Sequence, residues 1–188
     1  MIRRRWTISR MISGALGAAI VATLAILYGR ALFTPPSEID GEPLVAGAAR
    51  VLYVIDGDTL QIEQQQPTGV VRRRVRLIGI DTPELGRTDA PLKAATADQP
   101  FAREAAELLR QLTAEREVRL ELDRRRRDRY GRSLAYLYVD KRLVQEELLR
   151  RGLAVVDAFP GDSASMAKRL EIAEQDARKH QRGQWQKQ

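Results

Sequence analysis

Two short acidic segments interrupt a chain that is otherwise basic. Residues 56–59 read Asp-Gly-Asp-Thr, and residues 81–84, about two predicted strands further on, read Asp-Thr-Pro-Glu. The chain carries 32 Lys and Arg residues against 25 Asp and Glu residues, a net charge of +7, so it is expected to meet a polyanion. Carboxylates in such a surface repel a polyanion unless a cation lies between them. The pattern therefore predicts a metal site that faces phosphate.

The acidic side chains suit the hydrolysis of a phosphodiester. That reaction needs a neutralised phosphate, an activated water and stabilisation of the charge that develops on the phosphate oxygens. Asp58 and Asp81 offer the hard carboxylate oxygens that Ca²⁺ prefers. Glu84 follows Asp81 by three residues and is held by Pro83, so its carboxylate is free to take a proton from a water.

Arginines on separate predicted elements complete this set. Arg76 lies five residues before Asp81 on the same predicted strand, and Arg132 arrives from a distant loop. Guanidinium groups hold phosphate oxygens through paired hydrogen bonds and stay charged, so two of them suit a phosphate clamp. Residues 124–127 are all arginine. This run is either a further grip on phosphates or a solvated loop.

Each feature also has a purely structural explanation when it is taken singly. The Asp-Gly pair at residues 56–57 is typical of a hairpin turn. Residues 81–84 are compatible with a turn that leads to a helix cap, and Arg76 with a solvated charge on a strand. The combination of acids and arginines favours the chemical interpretation.

The composition excludes several other kinds of active site. The chain has no cysteine and a single histidine, His180, in a Lys-, Arg- and Gln-rich stretch. Thiolate zinc sites and thiol nucleophiles are therefore excluded, and a Ser-His-Asp triad is disfavoured. Hydrolytic chemistry must use carboxylates, arginines and a hard ion.

The elements that must position these residues follow from the apolar spacing. The sequence predicts strands at residues 51–55, 60–63, 70–80, 118–122, 133–139 and 141–143, and helices at residues 100–114, 144–151 and 163–181. A barrel of five strands with a helix inserted after the third fits this order better than a doubly wound sheet. The expected class is α+β.

The N-terminal segment has the features of a membrane or export signal. Arginines precede an uncharged apolar run at residues 11–28, which predicts a separate hydrophobic helix. By the positive-inside rule the N-terminus stays cytoplasmic and the rest is exported. Residues 1–31 are therefore a signal-anchor, or a signal peptide cleaved after Ala31, with a buried helix as a further alternative. Residues 32–47 form a linker and residues 48–188 the folded domain.

Four blocks of sequence together resemble the staphylococcal nuclease (thermonuclease) family over about residues 50–185. They are Val-Ile-Asp-Gly-Asp-Thr, Arg-Leu-Ile-Gly-Ile-Asp-Thr-Pro-Glu, Asp-Arg-Tyr-Gly-Arg-Ser-Leu-Ala-Tyr and Arg-Gly-Leu-Ala, at residues 54–59, 76–84, 128–136 and 151–154. The resemblance implies a five-stranded OB-type Greek-key barrel with three helices. It also implies a Ca²⁺-dependent nuclease for DNA and RNA that leaves a 3′-phosphate.

The resemblance carries over metal-site residues at matching positions. Asp58 and Asp81 would bind Ca²⁺ through their carboxylates and Thr82 through its backbone carbonyl. Asp56 would lie close to the metal without binding it.

It also implies the residues around the phosphate. Glu84 would orient or deprotonate the attacking water, and Arg76 and Arg132 would bind the phosphate. Arg129 and Tyr130 would contact the nucleotide.

The chain departs from the family pattern at a few positions. Residues 155–160 lack the pair of tyrosines that the family prototype brings to its nucleotide pocket, and Phe159 is the aromatic residue there. Gln145 stands where an Asn is frequent, and the loop at residues 85–99 has its own sequence. These differences concern base stacking and substrate access rather than the phosphate chemistry.

Competing functions remain at this point. A nucleic-acid-binding barrel without catalysis would explain the charge, although such relatives usually lose acids or arginines that this chain retains. A basic membrane-associated scaffold would explain the N-terminal segment but not the clustered acids. The function expected is an exported nuclease, membrane-anchored, or secreted if residues 1–31 are removed.

Overall fold

The computed structural model describes residues 43–86 and 96–187. The predicted signal-anchor and most of the predicted linker lie outside these residues. Within them, no helix is both long enough and apolar enough to cross a bilayer.

The described residues form short strands and three α-helices. The strands are β1 (Gly47–Val54), β2 (Thr59–Gln66), β3 (Gly69–Leu77), β4 (Gly79–Asp81), β5 (Glu117–Glu121), β6 (Ser133–Val139), β7 (Arg142–Leu143) and β8 (Val155–Asp157). The helices are α1 (Ala102–Thr113), α2 (Val144–Arg150) and α3 (Ala164–Lys179), followed by a 3₁₀ turn at Gly183–Trp185.

Five of the strands close into a barrel. They lie in the order β3-β2-β1-β5-β6, with each neighbouring pair antiparallel. A parallel pairing of β3 with β6 closes the ring and sets Val75 beside Ser133 and Arg76 beside Leu134. The predicted five-stranded barrel with three helices is confirmed.

Alternating apolar side chains fill the barrel. In β2 the side chains of Leu60 and Ile62 point inward, and in β3 those of Val75 and Leu77 do the same. Every residue of β6 is buried, because one face of this strand meets the barrel interior and α2 contacts it from outside. The site therefore rests on a rigid, close-packed frame.

The prediction of a third strand over residues 70–80 is wrong at its C-terminal end, because β3 ends at Leu77. The chain breaks at Ile78, and β4 leaves the barrel to pair with β8, a strand that the sequence pattern did not predict. Gly79 permits this break with a φ of +79°, where a side chain would also meet Leu170 at 2.6 Å. The break turns Asp81 away from the line of β3.

Candidate active site

A tight turn between β1 and β2 carries the first acidic segment. The amide of Asp56 donates to the carbonyl of Thr59 at 3.0 Å, and the amide of Gly57 donates to Asp56 Oδ1 at 2.8 Å. A Cβ on Gly57 would lie 2.6 Å from Thr82 Oγ1, so only glycine lets this turn pack against the second acidic segment. Asp58 is thereby brought to Thr82, whose amide lies 3.4 Å from Asp58 Oδ2.

Arg76 of β3 lies between the two predicted metal-binding aspartates. Its Nη1 is 2.5 Å from Asp58 Oδ2, and its Nη2 is 2.6 Å from Asp81 Oδ1. Asp157 of β8 also approaches, with its Oδ2 4.0 Å from Nη2. The side chain of Asp58 is 3% exposed, whereas that of Asp81 is half exposed. One guanidinium thus holds an inner and an outer carboxylate together.

Burial and crowding shift the titration of these groups. Burial raises the pKa of Asp58; attraction to Arg76 and a hydrogen bond from Thr59 offset it only in part, and Asp81 and Asp56 raise it further. Burial works against the charge of Arg76, but Asp58 and Asp81 outweigh it and raise the pKa of the guanidinium. The cluster therefore carries more negative charge than one arginine compensates.

Glu84 stands at the outer edge of these acids. Its backbone is fixed by Gln99, whose Oε1 accepts from the Glu84 amide and whose amide donates to the Glu84 carbonyl, each at 3.0 Å. Burial, a hydrogen bond with Asp56 and repulsion from Asp56, Asp58 and Asp81 raise the pKa of Glu84 to about 7. We call Asp56, Asp58, Asp81 and Glu84 the acidic wall.

Asp128 holds the loop that carries Tyr130 and Arg132. Its Oδ1 accepts from the amides of Tyr130 and Arg132, both at 2.9 Å, and its Oδ2 accepts from Arg132 Nε at 2.6 Å. The ring of Tyr130 is 68% exposed, with the guanidinium of Arg129 4.8 Å from its centre and that of Arg132 5.6 Å away. Residues 124–132 are hereafter the arginine loop.

One cavity of about 400 Å³ joins the two sides. The predicted residues that line it are Arg76, Asp81, Glu84, Arg129, Tyr130 and Arg132. Asp58 and Thr82 are buried beside Arg76 and do not line the cavity. The parallel β3–β6 pairing explains the meeting of the arginines, because Arg132 precedes β6 where that strand joins β3 next to Arg76.

The cavity is also lined by residues whose place in it was not predicted. Arg125 lies with its guanidinium 4.0 Å from the ring centre of Phe159 and with Nη2 3.4 Å from Asp162 Oδ2. Asp128 and Asp157 complete the charged lining. The run of arginines at residues 124–127 was the available signal for Arg125, but the sequence did not single out which arginine reaches the cavity.

The chemistry of the acidic wall suits a hard divalent ion, although its side chains are not arranged around one point. Its carboxylate oxygens are of the type that Ca²⁺ prefers. The buried Oγ1 of Thr82 beside them has no hydrogen-bond partner among the residues that the structure describes. Across residues 43–86 and 96–187, no three His, Cys, Asp or Glu side chains converge as metal ligands. Arg76 lies between Asp58 and Asp81, so a bound ion would share these carboxylates with it.

The chain belongs to the staphylococcal nuclease family. Residues 74–187 match the family model described as staphylococcal nuclease homologue. The match covers the break after β3, the arginine loop and all three helices. The chain is accordingly a nuclease, a hydrolase that acts on nucleic acid.

Individual relatives agree with this assignment. The chain is 33% identical to a thermonuclease of Staphylococcus hyicus over 136 residues, which cover 72% of this chain and 74% of that protein. It is 34% identical to a thermonuclease of Staphylococcus intermedius over 137 residues, or 73% and 75% of the two chains. It is 33% identical to endonuclease YncB of Bacillus subtilis (strain 168) over 134 residues, or 71% and 59%.

The family, the barrel and the enzyme class predicted from sequence are confirmed. The individual roles of the site residues, the identity of the ion and the membrane segment stay predictions.

Proposed function

We propose that this nuclease requires Ca²⁺ and cleaves phosphodiesters in both DNA and RNA. The observation that supports this proposal is the cavity in which Asp81 and Glu84 face Arg132, with Arg76 at the boundary. Acids alone would repel a polynucleotide, and arginines alone would bind it without activating water. Because acids and arginines line one cavity, the same site can bind the phosphate and activate a water.

The acidic wall is the proposed metal-binding side. Asp58 and Asp81 would hold Ca²⁺ through carboxylate oxygens, together with the backbone carbonyl of Thr82. A bound ion would neutralise the phosphate and make a nearby water more acidic. Glu84, exposed at the rim of the wall, would accept a proton from the attacking water.

The two arginines are the proposed phosphate clamp. Arg76 is fixed at the cavity wall by Asp58 and Asp81, and Arg132 is fixed by Asp128. Water would attack phosphorus and give its proton to Glu84. The bond from phosphorus to the 5′-oxygen would break, that oxygen would leave with the electron pair and take a proton from solvent water, and the product would keep a 3′-phosphate. The guanidinium groups would stabilise the negative charge that builds on the phosphate oxygens during this exchange. Arg129 and Tyr130 would contact the nucleotide from the exposed side.

Digestion of single-stranded DNA and of RNA by the full-length chain tests this proposal. Cleavage should require Ca²⁺, stop with EGTA and fall at least about 100-fold in Glu84→Gln, which removes the proton acceptor. Glu107→Gln, on the exposed face of α1, is the matched control and should cut like the wild type. Undiminished cutting by Glu84→Gln would overturn the assigned base. Tight binding that ignores Ca²⁺, without any cutting, would establish the binding barrel instead.

We further propose that residues 1–31 direct the enzyme across a membrane and retain it there. The support is the arginine-flanked apolar run in the sequence. Fractionation of cells that express the full chain should recover the nuclease in membranes, with residues 48–188 open to added protease from outside the cytoplasm. A shorter chain in the medium would establish cleavage, and recovery from the cytosol would contradict both forms of the proposal.

A further inference from the structure

The outer face of β3 carries arginines beyond the one in the cavity. Arg72, Arg74 and Arg76 point outward in alternation with the buried Arg73 and Val75. Alternate residues of a strand are spaced by about 6.6 Å. The outward arginines therefore form a row of positive charges that starts at Arg76 and leads away from the cavity.

Arg74 differs from its neighbours in this row because its charge is not compensated. Arg76 is paired with Asp58 and Asp81, and Arg72 is paired with Glu63 at 2.7 Å. Arg74 is exposed and, in the part of the chain that the structure describes, makes no ion pair and no hydrogen bond through its side chain. An uncompensated guanidinium beside a phosphate clamp is suited to bind another phosphate.

An exposed aromatic residue, Tyr53, lies on the same face of the sheet, two strands away from Arg74. The register sets Arg74 opposite Gln61 and Gln61 opposite Tyr53, so Tyr53 lies about 10 Å from Arg74 at the usual strand spacing. A bulge in β1 between Val51 and Tyr53 shifts the register here, and bulges of this kind re-aim side chains. The Tyr53 side chain is 55% exposed. Within the described residues it has no hydrogen bond or ring contact.

We propose that this outer face, formed by Tyr53, Gln61 and Arg74, binds a single-stranded stretch of the nucleic acid substrate outside the cavity. Arg74 would bind a phosphate next to the one held by Arg76, and the ring of Tyr53 would stack on a base. The inference rests on the proposed function, since it places the strand by continuity from Arg76. It defines a binding site for substrate beyond the residues around the scissile phosphate.

The chemistry of the face selects a single strand over other occupants. A positive row on one strand matches the regular negative charges of an extended polynucleotide. Tyr53 can stack only on a base that is not already stacked within a duplex, and such stacking tolerates any base because every base has a π face. The face should therefore increase affinity with substrate length and leave the cleavage of a dinucleotide unchanged.

Binding without cleavage tests the proposal independently of the nuclease assignment. Fluorescence anisotropy of labelled 12-nucleotide single-stranded DNA and RNA is measured with the full-length chain in non-ionic detergent and EDTA. Tyr53→Ala should weaken binding about fivefold or more, as loss of one stacked base does. Arg74→Gln should weaken binding and reduce the slope of log affinity against log salt by about 0.7, the value for one phosphate contact.

The control is Arg142→Gln, on the exposed edge of β7, which removes the same charge away from this face and should bind like the wild type. Far-ultraviolet circular dichroism checks that each variant is folded. Equal binding by wild type, Tyr53→Ala and Arg74→Gln would overturn the site. Equal weakening of a 12-base-pair duplex by Tyr53→Ala would overturn the stacking role.

Cleavage of a dinucleotide with Ca²⁺ separates the two proposals. The rates of Tyr53→Ala and Arg74→Gln should equal that of the wild type, because a dinucleotide does not extend beyond Arg76. If neither the wild type nor the variants cleave the dinucleotide while the differences in binding persist, the nuclease mechanism is contradicted and the proposed binding site on the outer face is supported. If the wild type and both variants cleave the dinucleotide but bind the 12-nucleotide strands equally, the proposed binding site is contradicted and the nuclease mechanism is supported.

Discussion

The two sides of the cavity are built in opposite ways. The acidic wall lies on the β1–β2 turn and on β4 and the residues after it, with Asp58 almost fully buried and paired with Arg76. The arginine loop is largely irregular and exposed, and single carboxylates hold it in place: Asp128 for Arg132 and Asp162 for Arg125. One side is fixed by the core and the other by local hydrogen bonds.

This difference follows from what each side must hold. Acids that repel one another stay close only when a packed frame prevents their separation. Arginines that bind an exposed, variable strand gain from side chains that adjust to it. Changes in the acidic wall should therefore affect stability and activity together, whereas changes of the arginines in the arginine loop should affect mainly activity.

Arg76→Gln should give the largest effect and break the acidic wall. Loss of its charge should lower the cleavage rate by about 10²–10³-fold. It also leaves buried Asp58 without its partner, which should lower the free energy of unfolding by about 3 kcal/mol. Rates and urea denaturation measure the two effects.

The double variant Arg76→Gln/Asp58→Asn separates the effect on the cleavage rate from the effect on stability. It should regain stability, because the unpaired buried charge is gone, but it should not regain activity. Unchanged stability in Arg76→Gln alone would contradict the description of the acidic wall as a structural unit.

Arg132→Lys tests the opposite side and should change activity without changing stability. Lysine keeps the charge but loses paired hydrogen bonds to phosphate, so the rate should fall by roughly 100-fold. Its thermal midpoint should stay within about 3 °C of the wild type, since a partly exposed ion pair contributes little. Arg142→Lys is the matched control. A large drop in thermal midpoint would show that the arginine loop is as structural as the acidic wall.

Phe159→Ala should give a smaller effect, on substrate binding. The ring supports the guanidinium of Arg125 at 4.0 Å, and an exposed contact of this kind is worth ~0.5–1 kcal/mol. The KM for oligonucleotides should rise by about two- to fivefold with kcat unchanged. Arg125→Gln should match it, and a fall in kcat instead would place Phe159 at the reacting phosphate.

Asp128→Asn should show the smallest effect, a loss of stability at neutral pH that disappears in acid. Burial alone would raise the pKa of Asp128, but hydrogen bonds and charge from Arg132 and the amide of Tyr130 lower it below 3.8. An acid with a lowered folded pKa contributes stability above its unfolded pKa and loses it as the pH falls through the folded value. The difference in thermal midpoint between wild type and Asp128→Asn should therefore shrink as the pH falls below about 5. Curves of thermal midpoint against pH that stay parallel for the wild type and the variant would contradict this role.

The same contrast explains how far the sequence could be interpreted. The meeting of Asp58 with Arg76 was predictable because the two residues fall at one end of the β2–β3 hairpin, where spacing fixes which residues are neighbours. Alternation likewise identified the barrel strands. It could not identify the break at Ile78, because a glycine in a strand pattern does not disclose its backbone angle.

The arginine loop was less predictable for a physical reason. Among residues 124–127, nothing local marks Arg125, since its position depends on Phe159 and Asp162 from a distant part of the chain. Asp157 reaches Arg76 only because β8 pairs with β4. Short strands of this kind leave almost no periodicity by which to recognise them.

The parallel pairing of β3 with β6 has a consequence for when the enzyme becomes active during folding. Val75 and Ser133 pair across this junction although β4, α1 and β5 separate them along the chain, and contacts so distant in sequence form late and slowly. Arg76 and Arg132 flank the same junction. If these two arginines form the proposed phosphate clamp, a chain that has not yet closed its barrel has both arginines but not the clamp, and it should not cleave nucleic acid until folding is complete.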